Sequence, residues 1–305
     1  MEIRGRHNIS HLGKRVKEQR LKKGLTQIEL AEDICTQATI SNLENETSLP
    51  SLSILLAVGD RLNIDFSDIY EFVSANSTSY SDIFKQVQKY CETEDYKEAY
   101  KILKEQIDFS KLESVYELKQ YYYYVGITSL LGYQRFSDAH YNLNLALSSD
   151  SGRNLDFFDV MATNGIGIAY DLISDKEKAQ TYFEKTLVLL DEVLFTVKSS
   201  QNRFEIVKIY FNIAKFYSSI EDYQQAIDLS DLGIRLLEEE KAVFYLDHLF
   251  YEKSLNLSKL GQQEKATENY FYAAALAKIS KNTELYGTIK KDMAEFKIEG
   301  YNYWV

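Results

Sequence analysis

The chain has 305 residues with one proline, 13 glycines and 27% charged residues, enough length for two domains and too little proline for extended linkers or a β-rich design, so an all-α architecture is expected. Its two cysteines, Cys35 and Cys91, lie far apart without C-x-x-C spacing, which points away from a disulfide framework or a zinc site; no apolar run approaches the roughly 20 residues of a membrane span. A net charge of −11 argues against indiscriminate nucleic-acid binding, yet residues 1–28 carry eight Lys or Arg against Glu2 and Glu18, whereas residues 74–305 carry 26 basic and 35 acidic residues. Only the N-terminal region is expected to touch a phosphate backbone, and the expected location is cytoplasmic.

In chain order, residues 1–8 read as a basic arm. A first helix follows from about Ser10 to Lys23, with Leu12, Val16, Gln19 and Leu21 at buried or edge positions. After the break at Gly24, Thr26 is placed to cap a short helix over Gln27 to about Ile34, with Glu29 as its capping-box partner. A turn at Cys35 leads to Thr36, which caps a second helix over about Gln37 to Asn45. Its Ile40 and Leu43 point inward with Leu30 and Ala31. Pro50 and Ser51 start the next helix, packed through Leu52, Leu55, Leu56 and Leu62.

This is a helix-turn-helix, and its second helix presents Gln37, Ala38, Thr39 and Asn42 in its first turns. Gln and Asn can bond adenine through two contacts, Thr can donate or accept, and an Ala methyl can meet a thymine methyl. The run G-L-T-Q-x-x-L-A, then I-S-x-L-E, then P-S-x-x-x-L resembles the repressor-type helix-turn-helix family of the phage repressors and Cro proteins, over roughly residues 9–73. Departures are Ile34-Cys35, where that family usually has a turn glycine, and Glu46, where a glycine commonly closes the recognition helix. The resemblance implies that Gln37, Thr39 and Asn42 read bases with Ala38 beside them, and that Gln27 and Asn45 contact phosphates.

Asp65 to Val73 reads as a closing fifth helix with Phe66, Ile69, Tyr70 and Val73 on one side. Residues 74–81, SANSTSYS, form the one clear shift in composition and mark a linker between a head, residues 1–73, and a second domain, residues 82–305. In the second domain Gly167, Tyr170, Ala179 and Phe183 fall in the order and spacing of a tetratricopeptide repeat. Aligned on the small residue of each second helix, Ala99, Ala139, Ala179, Ala226 and Ala266 recur at intervals of 40, 40, 47 and 40 residues, which predicts five helical hairpins with helices or connections longer than the usual 34-residue unit. Small residues let paired helices approach, and Tyr and Phe fill the space to the next hairpin. The four tyrosines at 121–124 cannot all face one way on a helix, so most of them should pack between hairpins. A last helix over about Asn282 to Phe296 and the tail Tyr301 to Val305 would cap the stack; Tyr303 and Trp304 either cover exposed core or form a self-association contact.

The concave face of such a stack is lined by the first helix of each pair, and there stand Asn164, Asn212, Glu252 and, in the terminal helix, Tyr286. An Asn side chain offers a donor and an acceptor, which suits a peptide backbone. Head, short linker and five hairpins together resemble the peptide-responsive regulators of Gram-positive bacteria, the Rgg/PlcR/PrgX group, nearest its PlcR-like branch. The resemblance implies a right-handed superhelix of about five tetratricopeptide-like hairpins behind a five-helix head. It also implies a homodimer on an inverted-repeat operator in double-stranded DNA, and a short signalling peptide in the groove, in the manner of quorum sensing. The groove asparagines correspond to Asn164 and Asn212, and Glu252 and Tyr286 occupy neighbouring positions. The acidic residues Glu92, Glu94 and Asp95 would favour a peptide with a positive end.

Two further readings stay open on the residues alone: a repressor whose repeat domain takes a small molecule, a protein or no ligand, and an interaction protein whose head only dimerises. For an enzyme there is no foothold. His7, His11, His140 and His248 form no metal-binding pair, no glycine loop cradles a phosphate, and neither cysteine has an evident base, so no cofactor, metal or catalytic residue is expected.

Overall fold

A computed structural model describes residues 5–45, 52–62, 80–112, 114–149, 155–196 and 203–300, with Thr47, Pro50 and Ile64 between them. The described residues form fifteen α-helices and one short 3-10 turn, with no strand among them. The expected closing helix at 65–73, most of the linker, Glu46 and the aromatic tail lie outside the described residues. By its contacts the chain divides into two compact units. One holds residues 1–94 with 101–107 and 196–201, and the other residues 95–100, 108–195 and 202–305.

The first unit begins with α1 (Gly5–Lys22), α2 (Gln27–Ala31), α3 (Gln37–Glu44) and α4 (Leu52–Leu62). The first helix starts at Gly5, ahead of the expected Ser10. Leu12, Val16, Leu30, Ala31, Ile40, Leu43, Leu55, Val58, Leu62 and Ile64 form one buried core. Leu21, expected near that core, is 60% exposed; Leu12, Val16 and Arg20 follow one another at i+4 and take the inward stripe, and Leu21 sits a further 100° around the helix. Thr26 caps α2 with Glu29 in a reciprocal capping box, as its sequence spacing predicts, and Thr36 caps α3 by accepting from the Thr39 N–H. The helix α2 stops three residues short of Ile34 because Glu32 turns extended and Asp33 enters the left-handed region (φ 59°), a conformation that Asp tolerates better than most residues. Asp33 thus does the work of the missing turn glycine.

Behind these come α5 (Ser81–Glu92) and α6 (Tyr96–Gln106), then α7 (Val115–Tyr133) with α8 (Phe136–Ser148), α9 (Phe157–Leu172) with α10 (Lys176–Thr196), α11 (Arg203–Ser219) with α12 (Tyr223–Glu239), and α13 (Leu246–Lys259) with α14 (Gln263–Ile279). The lone α15 (Thr283–Glu295) ends the series, capped by the Asn282 side chain. All five register alanines are fully buried. Five residues before each of them stands a residue with positive φ: Glu94, Gln134, Ser174, Glu221 and Gly261. One turn geometry therefore repeats five times, although only the last copy uses glycine. The 47-residue interval accommodates α10, at 21 residues the longest of the second helices.

In the second unit the first helices meet those of the next hairpin, α7 with α9, α9 with α11, α11 with α13 and α13 with α15, which makes them one continuous layer. Close approach within a hairpin depends on small residues. A Cβ on Gly167 would stand 2.8 Å from the Phe183 ring, and that ring packs 4.9 Å from Phe216 of the next hairpin. Tyr123 and Tyr124 of the tyrosine run both meet Phe158 of the following hairpin, while Tyr121 and Tyr122 meet Phe109.

Candidate nucleic-acid interface and ligand groove

The reading face of the head is built outward from a buried ion pair. Arg20 Nε and Nη2 donate to the two Glu44 carboxylate oxygens at 2.6 and 2.9 Å, and Nη1 donates to the Leu25 carbonyl at 2.8 Å. Burial pushes the Glu44 carboxyl up, but the hydrogen bonds from Arg20 and Gln27 and the charge of Arg20 outweigh it and hold the group below the ordinary glutamate value. Gln27 Nε2 donates to the same carboxylate at 2.8 Å, and Gln37 Nε2 donates to Gln27 Oε1 at 2.7 Å. The chemistry settles the orientation of both amides. A carboxylate only accepts, so Gln27 turns its NH2 to Glu44 and its carbonyl to Gln37, which must answer with its own NH2. Gln37 keeps one N–H and its carbonyl for an outside partner, the donor–acceptor pair that an adenine edge requires.

On α3, Ala38, Asn42 and Asn45 fall at i, i+4 and i+7 and are exposed with Gln37, whereas Thr39 is half-buried and its hydroxyl lies 2.9 Å from that of Thr36. The Asn42 side-chain oxygen accepts from Thr47 at 3.2 Å and Asn45 donates to Ser41 at 3.2 Å, so both amides are steadied from the protein side. Ala38, Asn42 and Asn45 thus share one face along α3, Gln27 and Gln37 are joined to each other at its N-terminal end, and Thr39 is turned partly inward. Sequence reasoning missed three contributors. Arg20 and Glu44 hold the chain of hydrogen bonds, and Arg61 ties α4 to α2 by donating to the Glu29, Leu30 and Glu32 carbonyls. An arginine on an inward helix stripe was the available signal for the first.

In the second unit the four predicted groove residues stand on α9, α11, α13 and α15, but in unlike surroundings. Asn164 is 6% exposed and its Oδ1 has no donor among the described residues. An orphaned acceptor at such a depth costs about 1–3 kcal/mol, which a ligand N–H would relieve. Asn212 and Tyr286 are half-buried, and the Lys278 and Lys290 ammonium groups lie 6.0 and 5.8 Å from the Tyr286 ring centroid. Glu252 departs from the groove expectation. It is 4% exposed and accepts from Asn256 Nδ2 at 2.9 Å; burial raises its carboxyl above the ordinary value, so it serves the packing of α13 and not an open face. A second buried cluster went unpredicted: Lys119 Nζ on α7 donates to Asp156 at 3.0 Å and to both Asp159 oxygens at 3.0 and 2.8 Å, at the N-terminus of α9. Glu92, Glu94 and Asp95 are exposed.

These two units define a class, a repressor-type helix-turn-helix head on a stack of tetratricopeptide-like hairpins. Residues 16–69 match the helix-turn-helix family HTH_3. Among solved structures, PlcR of Bacillus thuringiensis in complex with the peptide PapR7 and DNA is 20% identical with a TM-score of 0.63, over 92% of this chain and 99% of that one. PlcR in its apo form gives 18% and 0.59 over 92% and 98%. ComR from S. thermophilus, in complex with DNA and its signalling peptide ComS, gives 17% and 0.52 over 94% and 99%. The chain therefore carries an XRE-type helix-turn-helix and shares the fold of PlcR and ComR along nearly its whole length. A comparison with curated protein sequences finds no match. Among the described residues no helix is long and apolar enough to cross a membrane.

Proposed function

We propose that this protein is a cytoplasmic, sequence-specific transcriptional regulator and not an enzyme. It binds an inverted-repeat operator as a homodimer and is controlled by a short signalling peptide held by its repeat domain. The head is residues 1–73, the linker 74–81 and the repeat domain 82–305. Gln37, Thr39 and Asn42 read base edges with Ala38 against a thymine methyl, and Gln27 and Asn45 hold phosphates. Asn164 and Asn212 bond the peptide backbone and Tyr286 borders it.

The observation that carries this reading is the Arg20–Glu44–Gln27–Gln37 chain, which presets the first reading side chain before DNA arrives. A helix pair kept only for packing has no need of amides aligned toward solvent. The orphaned Asn164 oxygen supports the peptide, and the shared fold with PlcR, itself solved with a peptide and DNA, supports the combination.

The test is fluorescence anisotropy of the full chain against DNA from upstream of its own gene, with and without synthetic peptides from small neighbouring reading frames. Sequence-specific binding whose affinity changes with one peptide is the expected result. Specific binding indifferent to every peptide would remove the peptide and keep the DNA head; no specific binding would remove both.

A further inference from the structure

In the first turn of α13 a histidine is held from three sides. The His248 ring stacks on Tyr245 with centroids 4.3 Å apart, and Phe211 of α11, the neighbour of Asn212, meets it edge-on at 5.6 Å. On the third side His248 Nδ1 lies 2.8 Å from Asp247 Oδ1, which also accepts from the His248 backbone N–H at 2.9 Å. Asp247 is 6% exposed and fixed in place. Its other oxygen accepts from Ser280 Oγ at 3.1 Å and from Asn282 Nδ2 at 3.4 Å, and Asn282 at the same time caps α15. Burial pushes the Asp247 carboxyl up, but the hydrogen bonds and charge of His248 and the bond from Ser280 outweigh it and hold the group below the ordinary aspartate value.

An ionised carboxylate only accepts, so the proton it faces belongs to Nδ1, and in the neutral imidazole Nε2 is then an acceptor. None of the contacts that hold the ring uses Nε2. It has no partner among the described residues, and the side chain keeps 25% of its surface exposed. The neighbours of the ring are aromatic, so a donor carried on an aromatic body gains packing as well as the hydrogen bond. An ammonium would be desolvated there with the Asp247 charge already engaged by His248, Ser280 and Asn282.

We propose that His248 Nε2 is a hydrogen-bond acceptor for the peptide, receiving the indole N–H or phenol O–H of a ligand side chain that packs beside Phe211 and Tyr245. Asp247 is the positioning residue that holds its tautomer. Because Asp247 also holds Ser280 and Asn282, the acceptor is joined to the start of α15, the helix that carries Tyr286. The inference rests on the peptide reading above and adds to it the chemistry of one ligand side chain.

The first measurement is the tautomer, from long-range proton–nitrogen correlations on the full-length protein carrying isotopically labelled histidine at about pH 8, above the ordinary histidine range, with His248 assigned by its loss in His248→Phe. The Nδ1–H form is expected in wild type, and a shift toward Nε2–H in Asp247→Asn, whose amide can donate to Nδ1. The second measurement uses pools of N-terminally fluoresceinated heptapeptides of apolar residues with one Trp or its benzothienylalanine isostere, in which sulfur replaces the N–H, and with one Tyr or Phe. Read by anisotropy at the same pH, wild type should prefer the Trp pool over its isostere, or the Tyr pool over Phe, by about fivefold or more. His248→Phe should lose that preference and Asp247→Asn reduce it. An Nε2–H tautomer in wild type, equal binding of each donor pool and its isostere, or a preference that survives in His248→Phe overturns the acceptor and leaves the peptide reading standing. No binding of any pool by wild type overturns both.

Discussion

At the scale of single residues, Glu44 is the most consequential side chain in the head. Removing one partner of a buried, hydrogen-bonded ion pair leaves the other charge uncompensated, so Glu44→Ala should cost about 3–5 kcal/mol, read by denaturant unfolding of the full chain with hydrogen exchange reporting on α1–α4. The pair also sets an acid limit. Because the folded carboxyl lies below its ordinary value of 4.5, its contribution is complete above that value and is lost as pH falls through the lower folded one. Wild type should therefore lose head stability on acidification below about pH 4.5, while Glu44→Ala follows a flatter course there. Gln37 makes a complementary case, since it is exposed and stands at the outer end of the hydrogen-bond chain, bonded to the Gln27 amide and not to the buried ion pair itself. Gln37→Ala should leave the unfolding curve in place and reduce discrimination at one operator base pair by about 1–3 kcal/mol; an unchanged base preference in a selection from randomised operators would remove Gln37 from the reading set.

At the scale of elements, the hairpins are held in register by a buried alanine and a left-handed residue five positions before it. At Gly261 the turn is filled by the residue best suited to it, and a side chain there has room but the wrong backbone preference. Gly261→Ala should cost about 1 kcal/mol in thermal unfolding, and Ser174→Gly at the equivalent turn should be neutral or slightly stabilising. The close approach of α9 to α10 is less forgiving. A side chain at Gly167 meets the Phe183 ring, itself wedged against Phe216, so Gly167→Val should destabilise by about 1–3 kcal/mol through overpacking.

At the scale of the whole molecule, one ion cluster and one assembly state matter. Lys119 joins successive first helices through Asp156 and Asp159, and burial together with the neighbouring Asp159 charge raises the Asp156 carboxyl. Lys119→Met would leave the buried Asp159 carboxylate facing the half-buried Asp156 carboxylate without a cation, and a loss of about 3 kcal/mol is expected in chemical unfolding of the full chain. If the regulator reads an inverted repeat, sedimentation should show twice the 35.4 kDa chain mass, and footprinting should show two symmetric half-sites a helical turn or a multiple of one apart. A monomer with a single protected half-site would contradict the homodimer.

Much of this molecule is legible in its sequence wherever the cause is local. The Thr26–Glu29 and Thr36 caps, the inward Ile40 and Leu43, and the exposed Gln37, Ala38 and Asn42 follow from interactions within four residues along one helix. The recurring alanines announce five hairpins because each must pass the same close helix crossing. The long-range pairings were decided only in three dimensions. Arg20 meets Glu44 across 24 residues, and Lys119 meets Asp159 across 40, which is one repeat of the stack. Glu252 turns inward, where Ser218 of the preceding hairpin bonds its carboxyl, and Lys208 reaches Tyr96 across two intervening hairpins. A charged residue carries no periodic mark of its partner, and whether it faces solvent or a buried counter-charge depends on which helices the stack brings beside it.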